Sequence, residues 1–504
     1  LDEEQNYGCQ NKLLYLLFFN HFIIKILMNV FFQLVFLLPI FISALGQNAL
    51  QMQVDDALKN DFFKYSNIGI AVRDAKTSEL LVNVNKDKLM VPGSTIKIIT
   101  TVTALEVLGE NFKFETQLSY SGHIAADGVL KGNIYIEGTG DPTLGTDRIK
   151  SSLGMEALIE KFVTEIRAKG IICIEGDIIC INPKPKAIPI EDTWQWQDLG
   201  NYYATGSWPL NINENLYNIY YNRNFNVGQS AKISYIEPYI PKLQVESEVK
   251  VAAGESQDNA YIFGPALQYQ KLVLGTIPQG KNLYKVKGAI PDPPQFLAYL
   301  LHQALGQDKI SESRYLTMKA IPIESTLLYK HKSPTLSDIV KMTNAYSINL
   351  YADALVQALN PQKGIFENIK ILKEKLHNSG ADTMLMDIKD GSGLSARNLI
   401  TADQMSTYIC HVFKNHDVNL LEKMLPVVGE DGTVKNLLNN SPAKGKMWLK
   451  SGSMRRILCY SGIAKGKSGR LVALTIYLNG SIFIEHKINK KEVEKILETI
   501  YNHT

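Results

Sequence analysis

Cysteine is scarce in this chain: five in 504 residues, with only Cys173, Cys180, Cys410 and Cys459 falling after the N-terminal apolar stretch. That density excludes a disulfide scaffold. No Cys/His spacing matches a metal site, so a metalloenzyme has no support. Cys173 and Cys180 flank a turn, Glu175 to Asp177, where they either pair across a hairpin or stay as ordinary buried thiols. An excess of one charge is also missing. Lys and Arg total 53 against 50 Asp and Glu, a formal net charge of +3. With no arginine- or lysine-rich stripe there is no case for a nucleic-acid partner. Beyond Gln47 no run approaches the roughly 18 apolar residues of a membrane-spanning helix. Internal repeats and low-complexity tracts are absent as well. The remainder, 45% apolar and 20% charged, has the balance of an ordinary globular protein, long enough for two or three domains.

The apolar residues are unevenly spread. Leu13–Leu27 and Val30–Leu45 form two runs separated by Met28 and Asn29. Residues 1–27 carry no pattern beyond hydrophobicity and read as an over-extended start, with Met28 as the expected true one. From there the second run has the apolar core of an export signal, with Ala44 and Gly46 as small residues for cleavage before Gln47. Residues 1–46 are therefore expected to be a signal region. No basic residue follows Met28 within this run; Lys12 and Lys25 supply charge only if translation begins earlier. An uncleaved run is the alternative, which would keep the protein associated with a membrane. No cysteine follows the run where a lipoprotein would need one.

After Gln47 the periodicity predicts a short helix over Val54–Lys64 and strands over Ile68–Arg73 and Leu80–Val84. Between residues 116 and 290 the texture changes to short alternating strands and turns, with one helix near Gly154–Lys169; Ile290-Pro-Asp-Pro-Pro closes it. Helical spacing returns over Phe296–Leu305, Leu336–Leu359, Ile365–Ser379 and Ala402–Lys414. Strands follow over Ile457–Ala464 and Leu471–Leu478, then a helix over Lys490–Tyr501. The layout predicts an α/β domain built from both ends of the chain, 47–115 and 291–504. A β-rich region, 116–290, is inserted as two small domains, which works if its ends lie close together.

Between those parts lies V-P-G-S-T-I-K-I-I-T-T-V-T-A-L-E-V-L-G, residues 91–109. Pro92-Gly93 signals a turn, and Ser94 is a favoured helix N-cap. Ile98, Val102, Leu105 and Leu108 then recur on one face. Ser94 and Lys97, three apart, can meet on a helix. Alone, the pair is equally satisfied by a capping serine and a snorkelling lysine. A serine nucleophile with a lysine base needs more, because a lysine removes a hydroxyl proton only if desolvation or a second cation lowers its pKa. Two stretches supply partners. A-Y-S-I-N-L-Y-A-D (345–353) holds Ser347 and Asn349 at a predicted helix start, and L-K-S-G-S-M (449–454) holds Lys450, Ser451, Gly452 and Ser453 before a strand. Separately these are a cap and a turn.

Taken in order, S-x-x-K, S-x-N and K-[ST]-G match the penicillin-binding and serine β-lactamase motif set. The chain resembles the class C low-molecular-mass penicillin-binding proteins, the penicillin-binding protein 4-like D-alanyl-D-alanine carboxypeptidase/endopeptidases of serine peptidase family S13. The 253 residues between Ser94 and Ser347 fit that family's long insertion. So do V-L-K-G-N-I-Y-I-E-G-T-G-D-P-T-L (129–144), W-Q-W-Q-D-L (194–199), N-I-N-E-N (211–215), V-K-G-A-I-P-D-P-P (286–294), D-G-S-G-L-S-A-R-N-L-I-T (390–401) and G-E-D-G-T-V (429–434). Two departures stand out: K-S-G where many relatives have K-T-G, and Ile348 where a polar residue is common.

The resemblance implies the penicillin-binding protein/serine β-lactamase-like transpeptidase fold, with β-rich domains inserted between the first and second motifs. It implies acyl transfer without a cofactor on peptidoglycan stem peptides ending in D-Ala-D-Ala, inhibited by β-lactams, in the periplasm or cell envelope of a bacterium. Ser94 is then the nucleophile, Lys97 its base and Ser347 the proton relay held by Lys450 and Asn349. The N–H groups of Ser94 and Ser453 form the oxyanion hole, and Ser451, Gly452 and Ser453 bind substrate. Lys450 with the Ser451 and Ser453 hydroxyls offers charge and donors for a terminal carboxylate. Two other readings compete. A β-lactamase would use a glutamate such as that of Glu214-Asn-Leu-Tyr-Asn218, and a non-catalytic cell-wall binding protein would have no use for two lysines.

Overall fold

A computed structural model describes residues 49–181, 189–254, 259–306, 324–416, 419–481 and 486–504. The expected signal region, 1–46, lies outside them. Among the described residues no helix is long and apolar enough to cross a membrane.

Both ends of the chain build one five-stranded antiparallel sheet, in the order Met447–Met454, Ile457–Lys465, Leu471–Asn479, Asn67–Asp74, Leu80–Val84. The N-terminal strand joins the C-terminal one along its length, Asn67 opposite Asn479 through Asp74 opposite Val472. The inner strands are buried on both faces: seven consecutive residues, Leu458 to Ala464, are buried in one and Val472 to Leu478 in the next. A two-sided cover explains these continuous apolar runs. On one face lie the Lys97–Leu108 and Ala402–Asn415 helices, whose Ile98, Ile99, Val102, Met405 and Ile409 share a core with Ala71, Cys459 and Tyr477. On the other, Leu50 and Val54 and the helix carrying Val493, Ile496, Leu497 and Ile500 pack on Ile70, Leu458 and Leu474.

The β-rich region has its own core, which gathers Leu118, Ile136, Phe162, Ile178, Tyr217, Val273 and Val286. It also takes in Phe296, Leu297 and Leu301 of the Pro293–Ala304 helix. The Thr326–Lys332 strand pairs with Glu115–Tyr120 in that region's four-stranded sheet. Residues 293–304 and 326–332 thus join the inserted region's core and sheet, beyond the expected close at residue 290. The Pro-Asp-Pro-Pro stretch is a helix start and not a linker: Asp292 accepts from the Gln295 N–H, and Pro293 and Pro294 occupy the first turn, where a missing N–H costs nothing.

Three local expectations change. The segment expected as a helix over 54–64 is helical at 49–57 and then breaks. Asn60 starts a separate 3-10 turn, Asp61–Phe63, by accepting from the Phe62 N–H. Cys173 and Cys180 are both free, one exposed and one buried. Their strands pair with different partners, Val129–Lys131 and Ile134–Gly138, so no hairpin joins them. The helical spacing expected over 336–359, with a helix start at Ser347 and Asn349, resolves into two helices, Leu336–Tyr346 and Asn349–Leu359.

Candidate active site

Ser94 is not a helix cap. It sits inside a 3-10 turn, Gly93–Ile96, that runs straight into the Lys97–Leu108 helix, and that helix has no side-chain cap. Its hydroxyl is taken instead by Lys97, whose Nζ lies 2.9 Å from Ser94 Oγ. The helix is buried all round from Lys97 to Ala104, so the lysine cannot snorkel. Lys97 has no exposed surface, and its Nζ also reaches Asn349 Oδ1 at 2.6 Å and the Ser392 carbonyl at 2.5 Å. The Asn349 orientation is settled by its other end, where Nδ2 donates to the Tyr203 carbonyl at 2.8 Å; the oxygen must face the lysine. Two of the three neighbours of Nζ can only accept. Once Lys97 loses one proton, its two remaining N–H bonds go to those oxygens and its lone pair faces the Ser94 hydroxyl.

The second half of the site forms at the helix break. Ser347 ends the first helix in the left-handed conformation, φ 58 and ψ 39, a backbone state that costs a non-glycine residue about 1 kcal/mol or more. That bend turns Ser347 Oγ to Lys450 Nζ, 3.0 Å away. Lys450, also fully buried, donates further to the Ser451 carbonyl at 2.6 Å. Asn349, expected beside the relay, lies instead against Lys97. Among the described residues no hydrogen bond joins Ser347 to Ser94 or Lys97. The two clusters, Ser94–Lys97–Asn349 and Ser347–Lys450, face each other as separate halves.

Burial lowers the pKa of both lysines. For Lys97 this is opposed by the nearby Asp353 and Asp390 charges; for Lys450 it is reinforced by the charge of Lys97. Asp353 is itself raised by burial and by Asp390. Glu191, from the inserted region, is pushed up to about 9 by burial and then by Asp353 and Asp390. Asp390 accepts from the Gly393 and Ser395 N–H groups, the Asn398 amide and the Trp194 indole, all at 2.7–2.9 Å. Its role is to hold the D-G-S-G loop so that the Ser392 carbonyl meets Lys97.

The Met447–Met454 strand closes the site as an edge strand. Its Leu449 N–H bonds outward to Pro426 and its Met447 carbonyl to Val428. Antiparallel ladders alternate, so Ser451 and Ser453 likewise turn their N–H and C=O groups off the sheet's free edge. There Gly452 meets the Ser94 turn: a Cβ on it would lie 2.6 Å from the Pro92 oxygen and 2.9 Å from Ser94 N. The Ser94 turn and the Gly452–Ser453 backbone are thereby in close contact; a Cβ on Gly93 would lie 3.5 Å from Ser453 N.

Sequence reasoning did not single out Ser392, Asp353, Asp390, Glu191, Tyr203 or Thr433, although several lie in stretches noted for their likeness to the family. Glu214, the glutamate a β-lactamase reading would need, is fully engaged elsewhere. It pairs with Arg148 (2.7 and 2.8 Å) and accepts from Thr146 and Tyr351, and Arg148 leads the contacts that keep its carboxyl low against the cost of burial. Among the described residues no group of His, Cys, Asp and Glu could hold a metal ion.

Comparison with known proteins agrees with this architecture. The chain is 26% identical over 460 residues to the D-alanyl-D-alanine carboxypeptidase DacB of Haemophilus influenzae, covering 87% of this chain and 91% of that protein. It is 25% identical over 457 residues to a D-alanyl-D-alanine carboxypeptidase of Actinomadura, covering 86% and 81%. The crystal structure of penicillin binding protein 4 from Haemophilus influenzae superposes with a TM-score of 0.74 at 24% identity, over 89% of this chain and 98% of that one. Its complex with a β-lactam superposes at 0.70 and 25% identity, with the same coverage. The profile of the D-Ala-D-Ala carboxypeptidase 3 (S13) family matches residues 50–501, and the chain belongs to that family.

Proposed function

We propose that the protein is a serine-type D-Ala-D-Ala carboxypeptidase and DD-endopeptidase that works through a covalent acyl-enzyme on Ser94. The observation that carries this reading is the environment of Lys97. It is a fully buried amine with two obligate acceptors and one hydroxyl around it. A binding module gains nothing from desolvating two lysines, whereas a serine nucleophile needs such a base.

The sequence of events follows from the two halves. Lys97 takes the Ser94 proton as Oγ attacks the carbonyl between the last two D-alanines. The oxyanion forms against the Ser94 and Ser453 N–H groups, each donor worth about 2.7–4 kcal/mol in hydrolases of this kind. Ser347 protonates the departing amine and is reprotonated by Lys450. The leaving D-Ala carboxylate rests against the Ser451 and Ser453 hydroxyls, near the Lys450 charge. On hydrolysis the attacking water gives its proton back through Ser347 to Lys450, and Lys97 returns its proton to Ser94 Oγ as the acyl group leaves. A β-lactam carries the same carbonyl and carboxylate, so it acylates Ser94 in the same pose.

This chemistry requires peptidoglycan, which lies outside the cytoplasmic membrane, so the protein is exported to the periplasm. The apolar run Val30–Leu45 with Ala44 and Gly46 supports a cleaved signal. Digestion of purified peptidoglycan, read by mass spectrometry of the muropeptides, tests the activity. Pentapeptide stems shortened by one D-Ala establish the carboxypeptidase, and crosslinked dimers converted to monomers establish the endopeptidase. Unaltered muropeptides refute both.

A further inference from the structure

The G-E-D-G-T-V stretch forms a loop beside the Ser347–Lys450 half of the site, between the helix that ends at Ser347 and the strand that carries Lys450. Gly432 has φ +57 and lies so close to the first of the broken helices that a Cβ would sit 2.3 Å from the Ala345 oxygen, two residues before Ser347. The loop is pinned by the Asp431 carboxylate accepting the Val427 N–H at 2.6 Å. The Gly429 N–H donates to the Val434 carbonyl at 3.0 Å, and Val434 is buried. Thr433, exposed at its tip, holds its Oγ1 2.7 Å from Ser451 Oγ.

Two hydroxyls joined by one hydrogen bond retain one proton for a third group. Ser451 needs that arrangement more than a threonine would. A β-branched side chain is restricted at χ1, whereas a serine hydroxyl samples three staggered wells. The motif here reads K-S-G, so the restriction normally supplied by a methyl is missing.

We propose that Thr433 is a positioning residue for substrate recognition. It donates to Ser451 Oγ and fixes that hydroxyl with its own proton aimed at the carboxylate of the terminal D-Ala, replacing the constraint of the absent methyl. This rests on the carboxylate-binding reading of Ser451 and Ser453 given above. Thr433 acts through Ser451 and touches no reacting atom.

The test compares wild type, Thr433→Val, Thr433→Ser, Ser451→Thr and the Thr433→Val/Ser451→Thr double variant. Each is assayed for kcat and KM on an acyl-D-Ala-D-Ala peptide as free acid and as C-terminal amide. Losing rotamer restriction and a polarised donor should cut the acid-over-amide preference of Thr433→Val by roughly tenfold, mainly through KM. Thr433→Ser, which keeps the hydroxyl, should retain most of the preference. Adding Ser451→Thr to Thr433→Val should restore the preference to within about twofold of wild type, a rescue that a merely structural role for Thr433 would not produce. An unchanged preference in Thr433→Val overturns the proposal, and so does a double variant that is not rescued. If wild type itself turns over acid and amide equally, the carboxylate reading falls and the Thr433 inference with it. Acid preference that survives in Thr433→Val removes Thr433 alone.

Discussion

Gly452→Ala probes how closely the two backbones that frame the proposed oxyanion hole must approach. The added methyl would meet three backbone atoms: the Pro92 oxygen at 2.6 Å, Ser94 N at 2.9 Å and the Gly93 carbonyl carbon at 3.2 Å. Real Cβ atoms essentially never come within 3.0 Å of such neighbours, so the strand and the Ser94 turn must part by about 0.4 Å or more, because interiors this dense do not absorb overlap. The turn has nowhere to go. Val91 is held on both sides by the Asn479 amide, at 2.8 and 3.1 Å. Behind it, a Cβ on Gly393 would lie 2.1 Å from the Gly93 oxygen, so the loop carrying Ser392 is already in contact. The displacement therefore reaches the Ser94 and Ser453 N–H groups and the Ser392–Lys97 bond together. A misplacement approaching 1 Å costs on the order of 10²-fold, comparable to losing one oxyanion donor. For a displacement of about half that, we expect acylation by a fluorescent penicillin to slow by about tenfold or more, with destabilisation limited to the about 1–3 kcal/mol of an overpacked site. The assay is the second-order acylation rate alongside a thermal melt. A folded Gly452→Ala variant that acylates within about threefold of wild type would refute the geometry.

Asp353→Asn removes a charge that favours protonated Lys97, a charge present only as pH passes the raised Asp353 pKa of about 8, the range in which Lys97 itself deprotonates. The neutral amine is the base, so kcat/KM rises with pH as Lys97 deprotonates, and the rising limb should move to lower pH in the variant. A limb that stays put or moves to higher pH contradicts the assigned electrostatics. Glu214→Ala leaves Arg148 without its buried partner and should cost about 3 kcal/mol in urea unfolding, while deacylation of a bound β-lactam keeps its rate. Slowed deacylation in a variant of normal stability would instead make Glu214 a participant in hydrolysis.

The strands at the chain's end were legible because their apolar runs are unbroken, as a sheet covered on both faces demands. Ser94 and Lys97 were legible because three-residue spacing survives whether the first turn is 3-10 or α. That a helix starts at Ser347 and Asn349 was legible, as the Asn349–Leu359 helix shows, but the left-handed break before it was not. The apolar period continues across it, and the left-handed residue is held by the Ser347 and Ile348 N–H groups donating to the Thr343 carbonyl and by Lys450 at its hydroxyl. Ser392 left no side-chain signal because it contributes a carbonyl. Asp353, Asp390 and Glu191 gather from three distant segments, and only folding sets their charges against one another and those of Asp353 and Asp390 against Lys97. The Pro293–Ala304 helix and the Thr326–Lys332 strand join the inserted region's core and sheet beyond residue 290 because Asp292 caps a helix there, so the chain does not leave that region at the prolines.

The most direct test of the central claim is the intact mass of the purified protein after exposure to benzylpenicillin, for wild type and Ser94→Ala, with peptide mapping of any adduct. Wild type should gain one penicilloyl group on the peptide containing Ser94, and Ser94→Ala, folded by its melting curve, should gain none. An adduct that persists in Ser94→Ala, or that maps to another residue, would contradict the account.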